Sequence, residues 1–180
     1  MLTTQQQQFV QAIEQLDLDQ IKQLLAEGLD PNFMVPEEGP AISVWSDGLF
    51  HWWEMVSEAY EANQPLSSEQ KVQQLQVHLE ILDALLAAQV NVHLWDSEEV
   101  YGPLWDAASA ACTPAVQRLL DEEVNPNTND DEGLTILSSI SQLLFDCDFD
   151  AIDWDHALLE EKETLQLLRR SGAKMTKELV

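Results

Sequence analysis

The chain has 180 residues, enough for a domain with a real core, and its 45% hydrophobic content separates it from a disordered acidic tail. Thirty-three acidic residues against eight basic ones give a net charge of −25, a field that repels nucleic acid and anionic membrane and attracts basic partners. Five of the eight basic residues (Lys162, Arg169, Arg170, Lys174 and Lys177) lie in the last helix and tail. Such a balance also has a bland source in solubility or salt adaptation, although the six Trp and the free use of Leu and Gln speak against the latter.

The N-terminal MLTTQQQQFVQAIEQL has no basic region leading into an apolar run, so no signal peptide is expected. No apolar stretch approaches the ~20 residues of a membrane span. The two cysteines, Cys112 and Cys147, have no C-x-x-C neighbourhood, which argues against a zinc site. A soluble, cytoplasmic protein with reduced thiols is expected.

In chain order, four segments share one pattern: IKQLLAEGLDPN (21–32), LDALLAAQVNVH (82–93), VQRLLDEEVNPN (116–127) and LQLLRRSGAKM (165–175). Apolar residues at i, i+3 and i+4 predict a helix, and a turn position follows at Gly28, Gln89, Glu123 and Gly172. Asp30-Pro31-Asn32 and Asn125-Pro126-Asn127 then break the chain. After a polar loop come Gly39-Pro40-Ala41-Ile42, Gly102-Pro103-Leu104-Trp105 and Gly133-Leu134-Thr135-Ile136-Leu137, each opening a further helix. Proline is favoured there because its missing N–H has no intrahelical partner. Each unit therefore reads turn, short helix, longer helix, turn.

Gln89 and Glu123 lie 34 residues apart, but Gly28 and Gln89 lie 61 apart, and Glu123 and Gly172 lie 49 apart. The excesses predict insertions of roughly 28 and 16 residues. The first is WSDGLFHWWEMVSEAYEANQPLSSEQK (45–71), read as an extended helix, a loop at 63–68 around Pro65, and a long helix from about Ser68 capped by Ser67 or Ser68. Phe50, Trp53, Ser57 and Tyr60 mark one face of the extended helix, and Glu54, Glu58 and Glu61 another. The second is DCDFDAIDWDH (146–156), between the two helices of the last unit. Its spaced aspartates suggest a calcium loop, but Ala151 stands where that motif needs Gly and Ala157 where it needs a bidentate Glu. A polar loop pinned by Phe149, Ile152 and Trp154 fits better, and no metal or cofactor is expected.

The repeated segments resemble the ankyrin repeat, which has a β-turn and two antiparallel helices in about 33 residues. The second-helix half carries the resemblance; the Thr-Pro-Leu-His tetrapeptide of ankyrin first helices is missing throughout. The resemblance implies an all-α fold, a short solenoid of about four helix-turn-helix repeats with two insertions. It would form a single domain over 1–180, with repeats at approximately 4–38, 39–99, 100–132 and 133–180.

In such a stack, the loop after each Asn-type turn projects as a finger: 33–39, 92–102 and 128–133 here. Five residues on from Asn32, His93 and Asn127 stand Glu37, Glu98 and Glu132, accompanied by Glu38, by Asp96 and Glu99, and by Asp130 and Asp131. Phe33, Trp95 and Tyr101 interleave with them. Stacking would align these carboxylates along one edge, with aromatics as anchors and carboxylates pairing to Arg or Lys. Exposed finger loops are polar in any case, so a merely solvated edge explains the same residues.

No catalytic motif is present. His51, His78, His93 and His156 fall in no H-E-x-x-H pattern, and there is no Gly-x-Ser-x-Gly or phosphate loop. Acidic, insertion-bearing ankyrin proteins of this kind resemble immunity proteins of bacterial contact-dependent or type VI secretion systems. The resemblance implies an antitoxin that neutralises a basic toxin domain, as a monomer or in a 1:1 heterodimer, with no nucleic-acid or membrane partner. A chaperone for a basic protein such as a ribosomal protein, or a generic ankyrin scaffold, would use the same surface.

Overall fold

Thr3 starts the first helix with a capping box: its Oγ1 accepts from Gln6 N at 3.2 Å, and Gln6 Oε1 accepts from Thr3 N at 2.9 Å. The computed structural model describes residues 1–37, 39–93, 102–129 and 132–179. Among them are eight α-helices and one two-stranded hairpin, so the chain is mostly helical. It divides into two compact units, Met1–Leu94 and Trp95–Val180. No helix among the described residues is long and apolar enough to cross a membrane.

The first unit holds α1 (Thr4–Glu14), α2 (Leu18–Ala26), β1 (Met34–Val35), β2 (Gly39–Pro40), α3 (Ala41–Glu61) and α4 (Ser68–Ala87). Phe9, Ala12 and Ile13 bury one face of α1, and Ile21 and Leu24 bury one face of α2. The α1–α2 and α3–α4 hairpins stack with α1 on α3 and α2 on α4. The core between them contains Trp45, Leu49, Ile81, Leu82 and Leu85, all at 1% exposure or less. Trp45 Nε1 donates to the backbone oxygen of His78 at 2.8 Å and so ties α3 to α4. The loop at 62–67 and the Ser67 cap lie where the sequence places them; Ser67 Oγ accepts from Gln70 N at 3.2 Å.

The second unit repeats this plan with α5 (Pro103–Ser109), α6 (Thr113–Asp121), α7 (Ile136–Phe145) and α8 (Leu159–Arg170). Here α5 packs on α7 and α6 on α8. The Thr113 and Thr164 hydroxyls meet at 2.8 Å between α6 and α8. The short-then-longer reading fits this unit only. In the first unit α1 has 11 residues to the 9 of α2, and α3 and α4 have about the same length, 21 and 20.

One turn chemistry closes seven of the eight helices. The four turn positions read from the sequence all have positive φ: Gly28 at 94°, Gln89 at 60°, Glu123 at 61° and Gly172 at 91°. After each, a backbone N–H reaches back to the last turn of the helix: Leu29 N to Leu24 O, Val90 N to Leu85 O, Val124 N to Leu119 O, and Ala173 N to Leu168 O. Leu16, Asn63 and Ala111 make the same turn at the ends of α1, α3 and α5. Asp146 ends α7 with φ 53°.

Asparagine side chains then lock the second helix of one hairpin to that of the next. Asn32 Nδ2 donates to Gln89 O at 3.2 Å, and Asn32 Oδ1 accepts from Asn91 N at 2.6 Å. In the second unit, Asn127 Nδ2 donates to Gly172 O at 3.1 Å, and Asn127 Oδ1 accepts from Lys174 N at 2.8 Å. Each asparagine is itself held by an Asx turn, from Asp30 or Asn125 two residues earlier. At the second turn, between these two, His93 occupies the asparagine position, and its N–H donates to Asn91 Oδ1 at 2.9 Å.

Candidate functional site

The finger loops are built by the segment after each asparagine. In the first, Met34 pairs with Pro40 and Val35 with Gly39, antiparallel, and Ala41 N donates to Phe33 O at 3.0 Å. Val35 is buried and holds the hairpin down, while Glu37 stands exposed at the tip with φ 71°. Pro40 precedes α3 and caps it in extended conformation, whereas Pro103 is the first residue of α5. In the second unit the single bridge between Asn129 and Thr135 repeats the pairing, and Gly133 takes φ 79° where Gly39 takes 84°.

Of the residues that the sequence singles out, Phe33, Glu37 and Glu132 are described. Phe33 is half-buried and sets its ring edge against Phe9 at 6.1 Å, so part of its surface is spent holding the hairpin to α1. Glu37 and Glu132 are exposed. Glu38, Trp95, Asp96, Glu98, Glu99, Tyr101, Asp130 and Asp131 lie outside the described residues.

The aspartate-rich stretch is a short arm between α7 and α8. Ile152 is buried, and Trp154 is edge-on to Phe145 and Phe149 at 6.1 and 5.4 Å. Asp148 and Asp150 converge on Lys177 Nζ at 3.3 and 3.2 Å. Those carboxylates raise the Lys177 ammonium above its ordinary value. Asp153 meets His156 Nδ1 at 2.8 Å, and this hydrogen bond, followed by one from Asp155 N–H, lowers its carboxyl. The guanidinium of Arg169 lies 5.9 Å from the Phe149 ring and forks onto Glu178 with bonds of 2.5 and 2.7 Å. Two of the arm's five aspartates, Asp148 and Asp150, are therefore answered by Lys177 of the chain's own tail.

A feature with no sequence signature lies in the first unit. Ile13, Glu14 and Leu16 of the α1 end, Val44, Trp45, Asp47, Gly48 and His51 of α3, and His78 of α4 line a cleft of about 320 Å³. His78 is 7% exposed, and its Nδ1 is buried with no hydrogen-bond partner. Burial, then the nearby His51, pushes the His78 imidazole below its ordinary value and favours the neutral ring. Burial raises the Asp47 carboxyl, while the neighbouring His51 pulls it back. Gly48 is the close point of the wall, since a Cβ there would lie 3.1 Å from His78 Cε1 and 3.3 Å from Nδ1. The cleft thus has an apolar wall, two carboxylates and two imidazoles, of which that of His78 keeps an unpartnered ring nitrogen.

No protein-family model and no curated protein matches this chain.

Proposed function

We propose that the chain is an acidic, ankyrin-like protein-binding module that covers a basic partner, in the manner of an immunity protein neutralising a toxin domain of a bacterial secretion system. The observation that carries this reading is the −25 charge placed on hairpin units whose finger loops present exposed Glu37 and Glu132. The stacked helical hairpins, the shared turn at the end of each second helix and the asparagine links at Asn32 and Asn127 support the ankyrin-like description. Repeat stacks of this kind offer extended binding surfaces.

A toxin that acts on nucleic acid or nucleotides has a positive cleft, which a carboxylate-bearing edge would fill. Lys177 between Asp148 and Asp150 is an intramolecular instance of that pairing. Steering by the field would make capture fast, with an on-rate up to ~10⁸–10⁹ M⁻¹s⁻¹ at low salt.

The test is affinity capture of the tagged protein from its native cells at about 50 mM and about 500 mM salt, which straddle the range over which screening becomes short. One basic protein in equal amount, retained at high salt, is the expected result, and its own activity, with and without this chain, assigns the inhibitory role. A mixture of basic proteins lost at high salt would mean generic charge and would sink the proposal.

A further inference from the structure

Glycine inside a helix costs roughly 0.5–1 kcal/mol relative to alanine. Gly48 sits inside the 21-residue α3, where its missing Cβ leaves room for the His78 ring beside the cleft. The volume of about 320 Å³ is at the lower end of small-ligand sites. An apolar ligand would offer no polar partner to the His78 imidazole or to the Asp47 carboxylate beside His51. An anion would meet Glu14, Asp47 and the −25 field. A cation with several N–H donors and an apolar stem answers the two carboxylates, the His78 imidazole and the apolar wall.

We propose that this cleft receives an arginine side chain of the partner, its stem along Ile13, Leu16, Val44 and Trp45, its guanidinium among Glu14, Asp47 and the imidazole of His78. The assignment deepens the reading of the chain as a module for a basic partner and rests on it. Guanidinium is favoured over ammonium because its planar fork carries five donors and is less strongly hydrated, which suits a half-enclosed site. The imidazole supplies an acceptor while neutral, and the carboxylates supply the charge.

The probe is butylguanidinium, titrated into the full-length protein while the His51 and His78 imidazole resonances are followed by NMR, with butyrate as the control anion. Saturable shifts at His78 with millimolar affinity are expected, with butyrate giving none. Asp47→Asn should weaken them about tenfold, in line with loss of a charge-assisted hydrogen bond. Gly48→Ala should obstruct the same titration by pressing on the ring, with the fold checked by its amide spectrum. Absence of saturation at His78, equal shifts with butyrate, or an unchanged response in the Asp47→Asn variant would overturn the assignment. A captured basic partner that binds Asp47→Asn and Gly48→Ala as tightly as wild type would also overturn it, leaving the broader reading intact. If no specific partner is captured but the probe binds, only the broader reading fails.

Discussion

At the residue scale, two buried groups make the folded state sensitive to solution chemistry. His78 is held below its ordinary value of 6.5 by burial and by His51. Below that pH the unfolded chain takes up a proton that the folded ring resists, so this group's contribution to stability falls as pH drops through 6.5. Acid also relieves the self-repulsion of so many carboxylates, an effect of opposite sign. Urea unfolding at pH 7.5 and 5.5, for wild type and His78→Phe, separates the two: wild type should lose stability on acidification relative to the variant. Equal pH dependence in both would refute the role given to His78. Cys112 is fully buried, and burial drives its thiol up to about 12 against the pull of the Ala115 N–H and Arg118. An alkylating reagent at pH 8 should therefore modify half-buried Cys147 and spare Cys112 until denaturant is added, as read by mass spectrometry of the peptides. Labelling of Cys112 in native buffer at the rate of Cys147 would contradict this burial.

At the element scale, the hairpins depend on turns and on asparagine bridges. Asn32 and Asn127 each make two hydrogen bonds to backbone of the following hairpin. Alanine at either position should cost about 1–2 kcal/mol, the sum of two modest net bonds, measured by chemical denaturation. A cost near zero for both would mean that water replaces them freely. Glu123 and Gln89 occupy left-handed turns in which a side chain is strained by roughly 1–2 kcal/mol. Glu123→Gly should therefore stabilise the second unit, by about 0.5–1 kcal/mol once the greater freedom of an unfolded glycine is subtracted. A lower melting temperature for this variant would show that the Glu123 side chain does more than fill a turn.

The sequence announces the second helices because Leu-Leu pairs at helical spacing and the Asp/Asn-Pro-Asn turns are local signals. The extended α3, its loop and the Ser67 cap are legible for the same reason. The helix-closing turns at Leu16 and Ala111 are not, since nothing in those side chains asks for positive φ and backbone closure imposes it; Asn63, by contrast, is a residue type that tolerates the left-handed region. The sequence sets no bounds for α1, because this helix is polar and Gln-rich, with few apolar residues beyond Phe9 and Ile13 to mark its ends.

At the scale of the whole molecule, charge is the dominant property. Raising salt from about 10 mM to about 150 mM shortens the screening length from roughly 30 Å to 8 Å. Thermal unfolding of a chain carrying −25 should therefore shift upward with salt, since screening reduces self-repulsion more than it weakens ion pairs. A downward shift in a scanning calorimeter would show that pairs such as Lys177 with Asp148 and Asp150 outweigh the repulsion.

Composition and local pattern by themselves determined the helical class, the four turn positions and the acidic character, because each is read from residue types or from neighbours within a few residues. Tertiary structure decided the rest. It spent part of Phe33 on Phe9, answered Asp148 and Asp150 with Lys177 from 29 and 27 residues away, and brought His78 beside Gly48 and Asp47 across two helices. No local rule links positions so far apart in the chain; packing of the hairpins does, and it creates the cleft.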